Sequence, residues 1–157
     1  MTEVTVYVEI EKHSNLKYEF NKETGQLELD RILSYPYFYP YPYGFIPNTK
    51  SLDGDEIDVL IVSEGTFCKN TCMKGFIVGA LIMEDEKGMD EKLLVVTEDD
   101  YNSVKDIKDL EQKTLDDIHW FFTNYKKTDE KRWSRVSDFV GRDEAIDLYN
   151  ASVMNNC

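Results

Sequence analysis

The segment SLDGDEIDVLIV, residues 51–62, places three aspartates, Asp53, Asp55 and Asp58, within six positions directly before an aliphatic run. Carboxylates held this close raise each other's pKa and destabilise a fold when no cation lies between them. Hard divalent cations resolve the conflict, because Mg²⁺ takes oxygen ligands and is often held by one or two carboxylates together with substrate phosphates. A solvated turn capped by Asx hydrogen bonds is the alternative. A calcium loop fits poorly, because Ile57 stands where that loop needs an oxygen ligand.

A second acidic cluster favours the metal interpretation. Asp85 and Asp90 are five positions apart around Gly88, at the end of another apolar run. Glu9 and Glu19 lie among apolar neighbours on segments with strand character, although alternation alone could direct either side chain to solvent. If these segments close into one small barrel, the carboxylates converge at one mouth. They would then hold several Mg²⁺ ions, with other divalent cations as alternatives.

Basic residues adjoin these motifs. Lys17, Arg31, Lys92 and Lys126 lie in KYEF, LDRIL, DEKLL and NYKK. Each taken singly is most simply a surface charge, since Lys and Arg are mostly exposed. Taken together with metal-binding acids, they form a pocket for a small polyanion. This combination is typical of phosphoryl transfer or phosphate hydrolysis at a site with two or more metals.

Cysteines and histidines do not supply another metal site. Cys68, Cys72 and Cys157 are odd in number, and the first two are four positions apart, which is poor spacing for zinc or for a disulfide framework. His13 and His119 are far apart in the chain, so an imidazole zinc site is hard to assemble. We therefore expect reduced cysteines in a cytoplasmic protein.

Length and charge exclude several classes of function. We expect 157 residues with 41% hydrophobic composition to form a single domain, residues 1–157. The net charge of −13 argues against nucleic-acid binding and against affinity for anionic membranes. No apolar run approaches the ~20 residues that span a bilayer, and we do not expect the alternating, charged MTEVTVYVEIEK to be a signal peptide.

Strand patterns dominate the first half of the chain. VTVYVEIE alternates apolar and polar residues, and KYEFNKETGQLELDRIL reads as two strands around a glycine-containing turn. DVLIV, GFIVGALIME and EKLLVVT follow, and the last two are joined by an acidic loop around Gly88. Five or six short strands with tight turns predict a small closed barrel or a strongly curved sheet.

Helical patterns dominate the second half. Apolar residues recur with a period near 3.6 between positions 106 and 127, with Asp106 or Asp109 as the N-cap and the basic YKK on the last turn. A shorter helix is predicted over RDEAIDLYNASV. The chain is therefore expected to be an α+β protein, with a small five-stranded β-barrel flanked by two main helices.

One segment, SYPYFYPYPYGFIPNT, contains all four prolines and five of the ten tyrosines. Because proline cannot donate to a sheet ladder, we expect an extended wall rather than a central strand. Its tyrosine rings could pack on the barrel, or their hydroxyls could donate hydrogen bonds to an anionic ligand. A proline-rich ligand for a partner domain is a third interpretation.

Five motifs, in this order, resemble those of the family I soluble inorganic pyrophosphatases. They are KYEFNKETGQLELDRIL, FYPYPYGFIPNT, DGDEIDVLIV, MEDEKGMDEKL and HWFFTNYKK, and the resemblance extends from about Val6 to Trp133. It implies a five-stranded OB-like barrel with flanking helices. It also implies a magnesium-dependent enzyme that hydrolyses pyrophosphate to two orthophosphates.

The resemblance implies a role for each candidate residue. Asp53, Asp58 and Asp90 would hold the activating metal pair, with Asp58 shared, and Asp55 would be the general base. Further metal contacts would come from three acids, namely Asp85, Glu9 and Glu19. The phosphates would be bound by five residues, namely Lys17, Arg31, Tyr43, Tyr125 and Lys126. Tyr39 and Lys92 would have supporting positions.

Some features of the chain leave alternatives open. Glu56 stands where many members of the family have proline, which adds a charge beside the metal ligands. Two other functions are a catalytically silent barrel that binds divalent cations or a protein partner, and an OB-type nucleic-acid binder, which the net charge disfavours. By analogy with bacterial-type members we expect a homo-oligomer, a hexamer rather than a dimer.

Overall fold

The computed structural model describes residues 2–155, and Cys157 lies outside this range. Among these residues there are nine strands, namely β1 (Glu3–Ile10), β2 (Leu16–Asn21), β3 (Gln26–Ile32), β4 (Tyr43–Phe45), β5 (Asp58–Ile61), β6 (Thr71–Asp85), β7 (Gly88–Met89), β8 (Lys92–Val96) and β9 (Ser134–Gly141). The helices are α1 (Glu98–Tyr101), α2 (Gln112–Asn124) and α3 (Arg142–Asn155), with a 3₁₀ turn at Ile107–Asp109.

Five strands close into a barrel in the order β1, β4, β5, β8, β6 and back to β1. The long strand β6 makes this closure, because its first part pairs with β1 and its next part pairs with β8. The β5–β8 pair is parallel and the other four pairs are antiparallel. The predicted α+β fold with a five-stranded OB-like barrel is confirmed.

The remaining strands lie outside the ring. The predicted β2–β3 hairpin is confirmed and forms a separate two-stranded sheet, while β7 folds back onto the end of β6. Strand β9 pairs with the second part of β6, from Gly79 to Asp85. The sequence analysis missed β9, whose side chains are half-buried or exposed and give weak alternation. The expectation of five or six strands was therefore too low.

The proline- and tyrosine-rich segment is mostly irregular, but it contributes β4, which pairs with β1 on one side and β5 on the other in the barrel. The expectation that it supplies no central strand was therefore wrong for Tyr43–Phe45. The strand fits because Pro42 precedes it and Pro47 follows it, so no ladder position falls on a proline. Gly44 allows β4 to approach β1 closely, since a Cβ there would lie 1.8 Å from the Tyr7 carbonyl oxygen.

The helices differ in detail from their prediction. The expected helix from 106 to 127 is divided, because Leu110 is extended between the 3₁₀ turn and α2. Asp106 caps the 3₁₀ turn, while α2 begins after Glu111 without a side-chain cap and ends before the basic residues at 126–127. Helix α3 is slightly longer than α2, so the prediction of a shorter second helix was wrong.

Two apolar clusters pack on opposite faces of the barrel strands. Consecutive residues of β5 alternate between them: Leu60 packs in the cluster that includes α2, and Val59 and Ile61 pack in the cluster that includes Ala145 of α3. Burial on both faces explains why DVLIV is a continuous aliphatic run. Within residues 2–155, no helix has both the length and the apolar character needed to cross a bilayer.

Candidate active site

One cavity of about 320 Å³ opens beside the barrel, and its wall includes every residue nominated from the sequence. The five nominated aspartates come from two loops and two strands. Asp53 and Asp55 precede β5 and Asp58 begins it, while Asp85 ends β6 and Asp90 follows β7. The parallel register of β5 with β8 places Asp58 directly beside Lys92. Convergence of the two acidic clusters at one site is therefore confirmed.

The loop that carries the aspartates is also a capped turn. Asp53 Oδ1 accepts hydrogen bonds from Ser51 Oγ at 2.6 Å and from the Asp55 backbone N–H at 3.0 Å. Gly54 adopts φ +90°, a conformation that glycine reaches without strain. The two interpretations of this segment are thus compatible, since an Asx turn holds side chains that face the cavity. Among the hydrogen bonds and ion pairs of residues 2–155, none involves the Asp55 carboxylate.

Lys92 is the central cation of the cavity floor. It is 1% exposed, and its Nζ lies 2.8 Å from Tyr43 Oη, 3.1 Å from Asp58 Oδ2 and 3.0 Å from Asp90 Oδ2. Burial opposes its charge, but Asp90 and Asp58 hold the pKa of Lys92 well above its usual value. Burial raises the pKa of Asp58 despite the nearby ammonium, whereas at Asp90 the ammonium outweighs burial and lowers the pKa. The two carboxyls therefore share one cation, but their pKa values are shifted in opposite directions.

Glu9 and Glu19 have different surroundings. Glu9 on β1 is 7% exposed, and its Oε2 accepts a hydrogen bond from the Phe20 backbone N–H at 2.8 Å. Burial raises the pKa of Glu9 to about 8, although this hydrogen bond favours the ionised form. Glu19 on β2 is exposed and faces the cavity from the hairpin side. Glu9 thus ties the hairpin to the barrel, and both carboxyls line the site.

The predicted phosphate-binding cations are already paired with carboxylates. Asp30 Oδ2 accepts from Lys17 Nζ at 3.0 Å and from Arg31 Nε at 3.2 Å. Lys126 Nζ lies 3.1 Å from Asp85 Oδ2 and contacts Glu86 as well. Burial favours a neutral Asp30, but Lys17 and Arg31 lower its pKa below the usual value. An anion that binds these cations would therefore compete with their carboxylate partners.

The site tyrosines both pack and present hydroxyls. Tyr39 and Tyr125 are buried against Phe121, with ring centroids 4.6 and 5.1 Å away, and Tyr43 packs near Phe122. Burial raises the pKa of all three phenols, so the hydroxyls remain protonated donors near neutral pH. Ring packing and hydrogen-bond donation, treated as alternatives from the sequence, are compatible at these positions.

The donor set suits a hard divalent cation, because the acidic wall offers only carboxylate oxygens. Within the described part of the chain, however, no three His, Cys, Asp or Glu side chains already form a closed ligand cluster. Lys92 lies between Asp58 and Asp90 instead. Cys68 and Cys72 are free and exposed, and they do not line the cavity. The residues therefore fit a hard divalent metal by their chemistry.

The structure adds wall residues that the sequence analysis did not nominate: Tyr18, Lys22, Asp30, Glu86, Lys87 and Arg132. Asp30 was the easiest to find, since it adjoins Arg31 in LDRIL, but strand alternation places neighbours on opposite faces. A bulge resolves this, because Lys17 pairs with Arg31 and Tyr18 with Leu29, which leaves Asp30 as an extra residue. Glu56, noted as an unusual residue, also lines the cavity.

Comparison with known proteins gives one consistent result. The profile of the family described as Inorganic pyrophosphatase matches residues 6–156. An inorganic pyrophosphatase of Helicobacter pylori strain J99 is 44% identical over 152 residues, covering 94% of this chain and 88% of the relative. One from Campylobacter jejuni is 38% identical over 156 residues, covering 97% and 91%.

Solved structures agree with the sequence relatives. The inorganic pyrophosphatase of Helicobacter pylori superposes with a TM-score of 0.95 at 42% identity, covering 98% of this chain and 93% of that one. The enzyme of Thermus thermophilus superposes with a TM-score of 0.94 at 33% identity, covering 98% and 91%. With its barrel, its acidic cavity and these relatives, the chain belongs to the inorganic pyrophosphatase family.

Proposed function

We propose that this chain hydrolyses inorganic pyrophosphate to two orthophosphates with a metal-activated water, and that Asp55 is the general base. The observation that carries this proposal is a cavity in which acidic loops lie together with Lys, Arg and Tyr side chains. Membership of the inorganic pyrophosphatase family, whose members are metal-dependent hydrolases, supports the substrate and the reaction. A catalytically silent barrel is not favoured, because the relatives are named as enzymes.

The metal is proposed to be Mg²⁺, in several ions per site, because every available ligand is a carboxylate oxygen. Bound divalent cations would lower the pKa of a shared water and neutralise charge on the phosphate oxygens. Asp53, Asp58 and Asp90 are the proposed ligands of the activating pair, with Asp58 shared. Three further acids would complete the set, namely Asp85, Glu9 and Glu19. Lys92 would keep Asp90 ionised and would partly offset the effect of burial on Asp58 before the metal enters.

Asp55 is suited to a base because its carboxylate is not engaged in the observed hydrogen bonds and ion pairs. Its neighbour Asp53 accepts two hydrogen bonds that fix the turn, and one of these comes from the Asp55 backbone N–H. The Asp55 side chain is exposed and lines the cavity. It can therefore accept the proton of an attacking water when that water lies within hydrogen-bond reach.

The cationic wall is proposed to bind the two phosphates. Lys17, Arg31 and Lys126 would transfer from their carboxylate partners to phosphate oxygens, which accept charge-assisted hydrogen bonds of similar geometry. The protonated hydroxyls of Tyr43 and Tyr125 would donate further hydrogen bonds. Preorganised positive charge of this kind stabilises the negative charge that spreads over the transferred phosphoryl group. Tyr39 would support the site by packing.

The wider setting is also a proposal. We propose that residues 1–157 act as one domain in a homo-oligomer, a hexamer rather than a dimer. Exposed apolar side chains on the described surface, such as Ile32, Tyr35 and Trp120, support association of subunits. A cytoplasmic location is supported by the free thiols of Cys68 and Cys72. Size-exclusion chromatography with light scattering would test the oligomer.

Phosphate release from pyrophosphate, measured with and without Mg²⁺, tests the function. We expect metal-dependent release in the native protein. Asp55→Asn should lower kcat by about 10²- to 10⁴-fold, the usual contribution of general-base catalysis. Mg²⁺ affinity, measured by isothermal titration calorimetry, should change much less in Asp55→Asn, whereas Asp58→Ala should weaken both metal binding and turnover.

A matched control is Asp143→Asn, because Asp143 lies on the exposed surface at the start of α3. This variant should retain native kinetics and native metal affinity. Equal loss of metal affinity in Asp55→Asn and Asp58→Ala would contradict the separate roles proposed for the two aspartates. Absence of release by the folded native protein with Mg²⁺ bound would contradict the proposed hydrolysis itself.

A further inference from the structure

An ion pair crosses the rim of the cavity. Lys22 follows β2 in the turn of the hairpin, and Glu56 lies in the acidic loop between Asp55 and Asp58. Lys22 Nζ is 2.7 Å from Glu56 Oε1, and both residues line the cavity. Among the described residues, no other ion pair or hydrogen bond joins residues 16–32 to residues 51–57. The pair therefore connects two separate walls of the site.

Glu56 adds a fourth carboxylate to the six positions from Asp53 to Asp58. Its side chain is 22% exposed, so it lies deeper than Lys22, whose side chain is 63% exposed. A fixed negative charge at this depth repels a polyanion that approaches the cavity. Lys22 offsets that charge, and the contact of its ammonium with the accepting Glu56 carboxylate raises the pKa of Lys22, so the lysine is protonated.

We propose that the Lys22–Glu56 pair is a positioning pair that neutralises the rim of the cavity and sets its affinity for anionic substrate. Lys22 acts by holding Glu56 and has no part in the chemical step. This inference rests on the proposed hydrolysis of pyrophosphate. It assigns a function to Glu56, whose charge none of the roles given above uses.

The opposite charges of Lys22 and Glu56 predict opposite changes in KM for the two single variants. Lys22→Met leaves Glu56 unpaired, so KM for magnesium pyrophosphate should rise about two- to fivefold, the scale of a partly exposed ion pair. Glu56→Gln leaves the Lys22 ammonium free at the rim, so KM should fall by about twofold or more. The double variant should return to within about twofold of the native KM. In all three, kcat should stay within about twofold of native.

The experiment is steady-state phosphate release at saturating Mg²⁺, with the native protein as the reference for the hydrolysis itself. Calorimetric titration with inorganic phosphate gives a second readout that needs no turnover, and its dissociation constants should change in the same directions. Both differences should shrink in 0.5 M KCl, where the Debye length is only a few ångström. Lys74→Met is the matched control, because Lys74 pairs with Glu3 away from the cavity, and its KM should be native.

Two outcomes would overturn the proposal while leaving the hydrolysis intact. If both single variants raise KM, lower kcat and lower the thermal midpoint together, the pair is only a structural tie between the hairpin and the loop. If neither KM nor the phosphate dissociation constant changes, the pair has no influence on anion affinity. Inactivity of the native protein would instead refute the proposed function on which the inference rests.

Discussion

Replacement of Lys92 by methionine tests the electrostatic design of the cavity floor. Methionine keeps the length and apolar packing of the lysine stem, but it removes the ammonium that contacts Asp58, Asp90 and Tyr43 at 2.8–3.1 Å. Two carboxyls are then left close together without their shared cation. Removal of one partner from a buried ion pair typically costs about 3–5 kcal/mol of folding free energy. We expect a loss of that size in the metal-free protein near pH 8.

The pH dependence of this loss has a definite sign. Without Lys92, burial and mutual repulsion should raise the folded-state pKa of Asp58 and Asp90 above their unfolded values. A group with a raised folded pKa contributes stability below its unfolded pKa and loses it as pH rises through the folded pKa. Lys92→Met should therefore be closer to native in stability at pH 5 than at pH 8. In the native protein the pKa of Asp90 is lowered, so its contribution is instead lost as pH falls.

Urea unfolding in EDTA, followed by tryptophan fluorescence, measures the effect. With an m-value of about 2 kcal/mol/M, the expected loss lowers the unfolding midpoint by about 1.5–2.5 M at pH 8. Added Mg²⁺ should recover part of the stability, because a cation can replace the missing ammonium between the carboxylates. Lys113→Met is the control, since Lys113 forms only an exposed pair with Asp117, and its midpoint should not change. A loss below about 1 kcal/mol at pH 8, or a larger loss at pH 5, would refute the reasoning.

Two further stability measurements follow from the structure. In the metal-free protein, burial raises the folded-state pKa of Glu9 to about 8, so its contribution to stability is lost as pH rises from about 4.5 to 8. Glu9→Gln should flatten this decline by a few kcal/mol in urea unfolding. An unchanged pH profile would contradict a buried, protonated Glu9 carboxyl. Gly44→Ala places a Cβ 1.8 Å from the Tyr7 carbonyl oxygen and should cost about 3 kcal/mol or more in calorimetry. Gly54→Ala meets no atom within 4 Å and should cost only about 1 kcal/mol for its positive φ, so equal losses in the two variants would exclude a steric cause.

Features of the fold that rest on local pattern were predictable from the sequence. The hairpin of β2 and β3 follows from two alternating runs around a glycine turn, and the aliphatic run after Asp58 follows from burial of β5 on both faces. The acidic residues were predictable as a group, because like charges at the ends of apolar strands need a common cation. The structure brings all of them to the wall of one cavity.

Features that depend on tertiary contacts were not predictable. Strand β4 has three residues between prolines, and it becomes a central strand only because Gly44 lets it approach β1. Strand β9 has weak alternation, since it packs on one edge of β6 with most side chains half-exposed. The interruption at Leu110 is a local choice of backbone conformation inside a pattern that otherwise favours one continuous helix.

The carboxylate partners of the cavity cations could not be predicted from the sequence. Strict alternation separates Asp30 from Arg31, and only the bulge in β3 brings both to the cavity, where Asp30 contacts Lys17 as well. Lys126 is likewise paired, with both Asp85 and Glu86. Each cation that we propose to bind phosphate therefore has a carboxylate partner, and on that proposal the substrate would compete with this partner. The carboxylate partners keep the two lysines and the arginine oriented before the substrate arrives. The net affinity of the cavity for substrate then depends on small charge differences at its rim, where Lys22 and Glu56 lie.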